Sequence, residues 1–269
     1  MIFMKQRVIS AVIAFIISIP IFIIGGNVFN IAFYILTLIG LREFMKIREK
    51  DKKFPDFIRL ISYLMITFLY FKNTLTNNLD FNVDYRLISG LFLTLLLPVV
   101  LYHDEKVYNI KDAFYLLGGV FFLGCSMSLF YLYRSISLEL IIFLFLITII
   151  TDSYAYFIGR LIGKNKLLEV ISPNKTWEGT IGGSLVGTFV CTVYYLTVIN
   201  PNISIPKISI IILFLSLVGQ FGDLFFSAIK RTYKVKDFSN IMPGHGGILD
   251  RLDSIIFVIL TFTFFLNLL

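Results

Sequence analysis

The sequence predicts an all-α, polytopic integral membrane protein with about nine transmembrane helices, and three observations carry that reading. Of 269 residues, 57% are hydrophobic and only 15% charged, where a soluble domain carries about a quarter charged residues. Mean hydropathy is +0.85, and the apolar residues fall in runs near the roughly 20 residues that a helix needs to cross a bilayer. Lys and Arg gather in alternate connections between those runs. The net charge of +7 then points to basic loops facing anionic headgroups and not to nucleic acid. Cys125 and Cys191 lie inside apolar runs without a spacing partner. They indicate neither a disulfide framework nor a metal knuckle, and read as packing.

Candidate spans run at about 8–24, 28–45, 56–71, 86–102, 112–133, 138–158, 179–199, 208–228 and 253–269. Lys5 and Arg7 precede the first run, but no small-residue cleavage site follows it, so it reads as a retained helix. Gly25-Gly26-Asn27 reads as a tight turn into the second. The third span is the shortest. With the N-terminus inside, the connections near 42–59, 103–111, 159–178 and 229–252 are cytoplasmic. Of the 24 Lys and Arg, only Lys72, Arg86, Arg134 and Lys207 then fall outside. The stretch 42–59 carries both charge signs but no glycine cradle or Asp pair, and reads as a basic loop that sets topology. Residues 72–85 read as a polar outer loop. Residues 1–85 thus form an N-terminal region of about three helices and 86–137 a middle region of about two. Residues 138–269 form a C-terminal catalytic region of about four helices with cytoplasmic motif loops.

The candidate chemistry lies after Thr151. Asp152 follows a long Ile-, Leu- and Phe-rich run, where a carboxylate costs about 2.5–3.5 kcal/mol on insertion scales and must meet a polar cavity, a cation or a partner. Helical spacing places Asp223, Ser227, Lys230 and Arg231 along one stripe. That stripe aligns a metal ligand, a hydroxyl and two phosphate-binding cations. In Pro243-Gly244-His245-Gly246-Gly247 the glycines permit close backbone approach, and successive amides there can form an anion-binding concavity. His245 reads equally as a base or phosphate donor and as a helix cap or loop brace. Asp250 and Asp253 share a face at the start of the last helix, and Arg251 between them points elsewhere, within reach of phosphate. In Ser172-Pro-Asn-Lys175-Thr176-Trp177-Glu-Gly179, a Lys followed by a hydroxyl at a helix start suits phosphate. Trp177 reads as an interfacial anchor, and Gly179, Gly183 and Gly187 read as close helix packing. Interleaved acids and bases are what a metal–polyphosphate site needs.

Ser227-Ala-Ile-Lys-Arg, Lys236-Asp237 and Pro243-Gly-His-Gly-Gly-Ile-Leu-Asp250-Arg-Leu-Asp253 together resemble the signature of the phosphatidate cytidylyltransferase (CDP-diacylglycerol synthase) family. Asp152 with Tyr154-Ala-Tyr156 and Gly159-Arg160, and the segment Ser172 to Gly179, are similar to two further motifs of that family. Asn174 departs from the pattern, which carries a second Lys there. The resemblance spans Thr151 to Ser254; the first 150 residues match only as a hydrophobic helical region.

The resemblance implies that CTP and phosphatidic acid give CDP-diacylglycerol and pyrophosphate. It implies Mg2+, with a second cation as one solution, and a homodimer in the inner (cell) membrane with its site open to the cytosol. On this reading Asp223 and Asp250 are the primary metal ligands, with Asp253 and Asp152 behind them. Asp223, Asp250, Lys230 and Arg231 carry catalysis. Ser172, Lys175, Thr176, Ser227, Lys236, His245, Gly246, Gly247 and Arg251 bind substrate. Two other readings compete. A CTP-using lipid or polyprenol kinase would transfer the γ-phosphoryl group instead. A cation-coupled transporter would use Asp152 and Asp223 as an ion site, but it leaves the glycine loop and the Lys/Arg cluster without a role.

Overall fold

The structure, a computed structural model, describes residues 2–76 and 85–268, with side chains from residue 9 onward except 76 and 267. Much of the expected outer loop at 72–85, and the side chains of Lys5 and Arg7, lie outside the described residues. The described chain is almost wholly helical. Its helices are α1 (Ile2–Ile24), α2 (Gly26–Arg48), α3 (Asp56–Thr76), α4 (Tyr85–Tyr102), α5 (Ile110–Ile136), α6 (Leu138–Ile162), α7 (Trp177–Tyr194), α8 (Ile205–Thr232) and α9 (Leu249–Phe265). A π-helical turn, Tyr195–Ile199, extends α7. An antiparallel hairpin, β1 (Lys166–Leu168) and β2 (Ser172–Thr176), pairs Lys166 with Thr176 and Leu168 with Ser172.

Among the described residues, six helices are long and apolar enough to cross a bilayer: α2, α4, α5, α6, α7 with its π turn, and α8. This makes the chain an all-α, multi-pass membrane protein by composition, with six such helices in place of the nine expected. At α3 and α9 the shortfall has a local cause. The apolar stretch of α3 is bounded by Asp56 and Arg59 at one end and Lys72 at the other. With 17 residues, α9 covers only about 25 Å of a hydrocarbon core about 30 Å thick. In α1 the described side chains begin at Ile9, and Ile9–Ile24 is apolar.

The chain divides into two compact units, 1–135 with 237–249 and 136–236 with 250–269. In the first, Phe29, Phe33 and Phe130 form an aromatic seam, with ring centroids 4.2 and 4.8 Å apart. Asp112, only 1% exposed, accepts from Arg48 at 2.7 Å and Lys52 at 2.8 Å. Two charges of the 42–59 stretch therefore neutralise a buried acid, which would otherwise be costly. Arg134 donates to the carbonyls of Phe22 and Ile23 at 2.7 and 3.0 Å. It thereby satisfies acceptors that the end of α1 leaves open.

In the second unit, α6 and α7 pack with almost no side chain between them. A Cβ on Gly183 would sit 2.6 Å from the Thr151 carbonyl oxygen, and one on Gly179 would sit 2.5 Å from that of Ala155. This bears out the close-packing reading of the glycine repeat. Gly183→Ala should lower the unfolding temperature in detergent, by an overpacking cost of about 1–3 kcal/mol. Gly90, with open space where its Cβ would stand, is the matched control, and Gly90→Ala should leave stability unchanged or slightly raised.

Candidate active site

The site grows from two close helix approaches in the second unit. Glycines on α8 let α9 come near: a Cβ on Gly222 would lie 2.9 Å from the Asp253 carbonyl oxygen, and one on Gly219 would lie 2.9 Å from Val258. Asp223, beside Gly222, is thereby brought within electrostatic reach of Asp253. The Asp253 side chain is buried, and Ser254 N–H donates to its Oδ1 at 2.8 Å. On the other side, the glycine face of α7 holds α6 at Thr151 and Ala155, and Asp152 stands between those two in sequence. Ser254 Oγ donates to Asp152 Oδ2 at 3.4 Å. Asp152, Asp223 and Asp253 thus gather from three helices.

Two lysines meet these acids. Lys175 Nζ, on β2, lies 2.6 Å from Asp223 Oδ2, and its next neighbour is the Gln220 carbonyl oxygen at 3.5 Å. Ser227 Oγ donates to the other Asp223 oxygen at 3.3 Å. Lys230 Nζ lies 2.6 Å from Asp250 Oδ1, with side chains only 9% and 3% exposed. The Lys175–Asp223 pair is more open, at 22% and 30%. The arrangement alternates charge: four carboxylates that would repel one another are held by ammonium groups, which can also serve phosphate oxygens.

Other expected residues have different surroundings. Thr176 caps α7, accepting from Gly179 N–H at 3.2 Å, and Ser172 pairs with Leu168 in the hairpin. Arg231 is exposed and donates to the carbonyls of Ile171 and Val235, at 3.3 and 3.0 Å. It ties the hairpin turn to the end of α8 and does not face the acids. Lys236 and Arg251 are exposed.

His245, Gly246 and Gly247 belong to the first unit. Gly244 and Gly246 take φ of +78° and +84°, which only glycine adopts freely. His245 Nδ1 is 2.7 Å from Ser10 Oγ, which also donates to the Pro243 carbonyl at 3.0 Å. This is a loop brace. The amides of Ile248 and Leu249 donate to Glu43, at 3.0 and 2.9 Å. The amides just past the glycine run, and not those within it, therefore hold an anion that the protein itself supplies. Glu43, Ser10 and Ser239 escaped the sequence reading. A signal existed for Glu43, an acid set among Leu41, Phe44 and Met45, but it was masked by the charge density that follows it.

Among the described residues, no three His, Cys, Asp or Glu side chains form a ready-made metal cage. The donor chemistry nevertheless fits Mg2+. All candidate ligands are hard carboxylate oxygens, and this ion is commonly held by one or two carboxylates with substrate phosphates and water completing its shell.

A family model described as the cytidylyltransferase family matches residues 5–269. The chain belongs to the cytidylyltransferase family. It is thus a nucleotidyltransferase in a membrane-spanning frame. The phosphatidate cytidylyltransferase of Staphylococcus haemolyticus is 36% identical over 257 residues, covering 95% of this chain and 96% of the relative. Those of Staphylococcus epidermidis and Staphylococcus aureus are 38% and 37% identical, with the same coverage. This cytidylyltransferase therefore matches its relatives along nearly the whole chain, including the first 150 residues that carry no recognisable motif.

Proposed function

We propose that this cytidylyltransferase converts CTP and phosphatidic acid into CDP-diacylglycerol and pyrophosphate. The observation that carries the reading is the alternating cluster of Asp152, Asp223, Asp250 and Asp253 with Lys175 and Lys230 at helix ends. The names of its relatives agree with it.

In the reaction, a phosphate oxygen of the lipid attacks the α-phosphorus of CTP. A new P–O bond forms, the bond from the α-phosphorus to the bridging oxygen breaks, and pyrophosphate leaves with that electron pair. Two anions must meet, so the main task is to cancel repulsion and to hold the charge that builds on the transferring group. Lys175 and Lys230 place ammonium groups at the edge of the acid cluster for this purpose. Asp223 and Asp250 would hold Mg2+, with Asp253 and Asp152 behind them, and a second cation would answer the charge of the substrate phosphates. The metal, when bound, supplies Lewis-acid neutralisation of the phosphate oxygens. Ser227 orients Asp223 through its hydroxyl. Arg231 holds the 159–178 connection against α8, which keeps Lys175 beside its acid. Lys236 and Arg251, exposed in the same unit, complete the substrate-binding set. We place the site on the cytoplasmic face of a cell-membrane homodimer, with α1, α3 and α9 completing nine spans and an inside N-terminus. The assignment of 138–269 as the catalytic region belongs to the same reading.

Purified protein given labelled CTP, phosphatidic acid and Mg2+ should yield a CDP-lipid and one pyrophosphate per turnover. Release of CDP with a phosphorylated alcohol would replace this reading with a kinase. No CTP-dependent product from either lipid class would remove it.

A further inference from the structure

Glu43 has no part in the scheme above, although it is a carboxylate only 1% exposed. It lies near the end of α2, and its partners are all in the 239–249 segment of the same unit. Ile248 N–H donates to its Oε1 at 3.0 Å, Leu249 N–H to its Oε2 at 2.9 Å, and Ser239 Oγ also donates to Oε1. The loop closes onto it so tightly that a Cβ on Gly247 would stand 2.4 Å from Oε1. The two amides belong to the opening of α9, where N–H groups lack partners within the helix and where negative charge is favoured. Leu249 continues without a break into Asp250. A carboxylate that takes three donors is well satisfied, so Glu43 can be buried without the usual charge penalty. A burial of this kind fixes the backbone to which those donors belong.

Resting on the proposed function, we infer that Glu43 is a positioning residue. By holding the amides of Ile248 and Leu249 and the hydroxyl of Ser239, it fixes the start of α9 and so the placement of the Asp250 carboxylate one residue on. A purely structural role would change stability alone; a positioning role also changes how well the Asp250 side chain meets its cation.

The test compares wild type with Glu43→Gln, which keeps the shape but loses the charge and turns an amide N–H2 toward an N–H donor. The readouts are steady-state rates over a Mg2+ titration and amide hydrogen exchange of the 245–250 backbone. Glu43→Gln should lower kcat by about tenfold or more, as small misplacements at a reacting centre do. It should also raise the Mg2+ concentration for half-maximal rate roughly tenfold, the lower end of what loss of a supporting partner costs a metal site. KM for phosphatidic acid should hold, and exchange at Ile248 and Leu249 should quicken while α2 and α5 stay protected. Wild-type kcat and Mg2+ dependence in Glu43→Gln would overturn the inference while leaving the cytidylyl-transfer reading intact. If Glu43→Gln cannot be recovered folded, Ser239→Ala removes one donor and should move kcat and Mg2+ dependence the same way by a smaller factor; wild-type values there would overturn the inference. If wild type makes no CDP-lipid, the functional reading fails by itself. The exchange data then decide the anchoring: faster exchange at Ile248 and Leu249 in Glu43→Gln supports it, and unchanged exchange overturns it.

Discussion

Asp250→Asn is expected both to abolish turnover and to destabilise the protein. The Lys230–Asp250 pair is 2.6 Å long, with side chains 9% and 3% exposed. Removing one partner of a buried pair typically costs about 3–5 kcal/mol, because the remaining charge stays out of water without its counter-ion. Lys230 still feels Asp223 and Asp253, which draws the expected cost toward the lower end of that range. The double variant Asp250→Asn/Lys230→Met removes the stranded charge and should recover much of the lost stability. It should not recover activity, since both the ligand and the phosphate-binding cation are gone. Thermal unfolding in detergent and CDP-lipid formation separate the two effects. Wild-type-like rates at low Mg2+ in Asp250→Asn would exclude Asp250 as a ligand, and recovery of activity in the double variant would mean that Asp250 served only to balance Lys230.

Asp223→Asn should abolish turnover as completely but leave the unfolding temperature nearly unchanged. Its pair with Lys175 is 22% and 30% exposed, and ion pairs open to solvent contribute about 0–1 kcal/mol. Under the proposed function the two aspartates share a chemical role, and their exposure sets their structural roles apart. Lys175→Ala should lower kcat/KM by about 1.5–3 kcal/mol, the range for a hydrogen bond to a charged group, which is roughly tenfold to 150-fold. Arg at 175 should rescue only in part, since a planar fork cannot replace a compact ammonium. Because both residues act on one charge cluster, Lys175→Ala added to Asp223→Asn should cost little more than Asp223→Asn alone. Unchanged kcat/KM for both substrates in Lys175→Ala would return that residue to an ordinary loop charge. Wild-type rates in Asp223→Asn at low Mg2+ would exclude it as a ligand.

Several features of this molecule were legible along the chain because they are local. Apolar runs and the scarcity of charge establish a helical membrane protein without any knowledge of packing. Asp152 was conspicuous because a carboxylate at the end of a long apolar run needs a reason. The glycine spacing of α7 announced a close helix contact, and α6 lies against that face. The spacing of Asp223 and Ser227 put carboxylate and hydroxyl on one face, and they are bonded.

What the chain did not disclose was which charge answers which. The stretch 42–59 looked like undifferentiated basic loop, yet Arg48 and Lys52 neutralise Asp112, and Glu43 holds the start of α9. Arg231 lies on the expected helix stripe but turns to backbone carbonyls, while its neighbour Lys230 takes Asp250. Six of the nine expected spans are long and apolar enough among the described residues, and at α3 and α9 charged ends and a 17-residue length shorten the apolar run. A sequence records the cost of each buried charge, because that cost follows from the residue and its neighbours. The partner that removes the cost is chosen where helices close on one another at Gly179, Gly183, Gly219 and Gly222, and where the loop at Gly247 closes on Glu43. Those approaches bring together side chains far apart along the chain, and only the tertiary structure decides them.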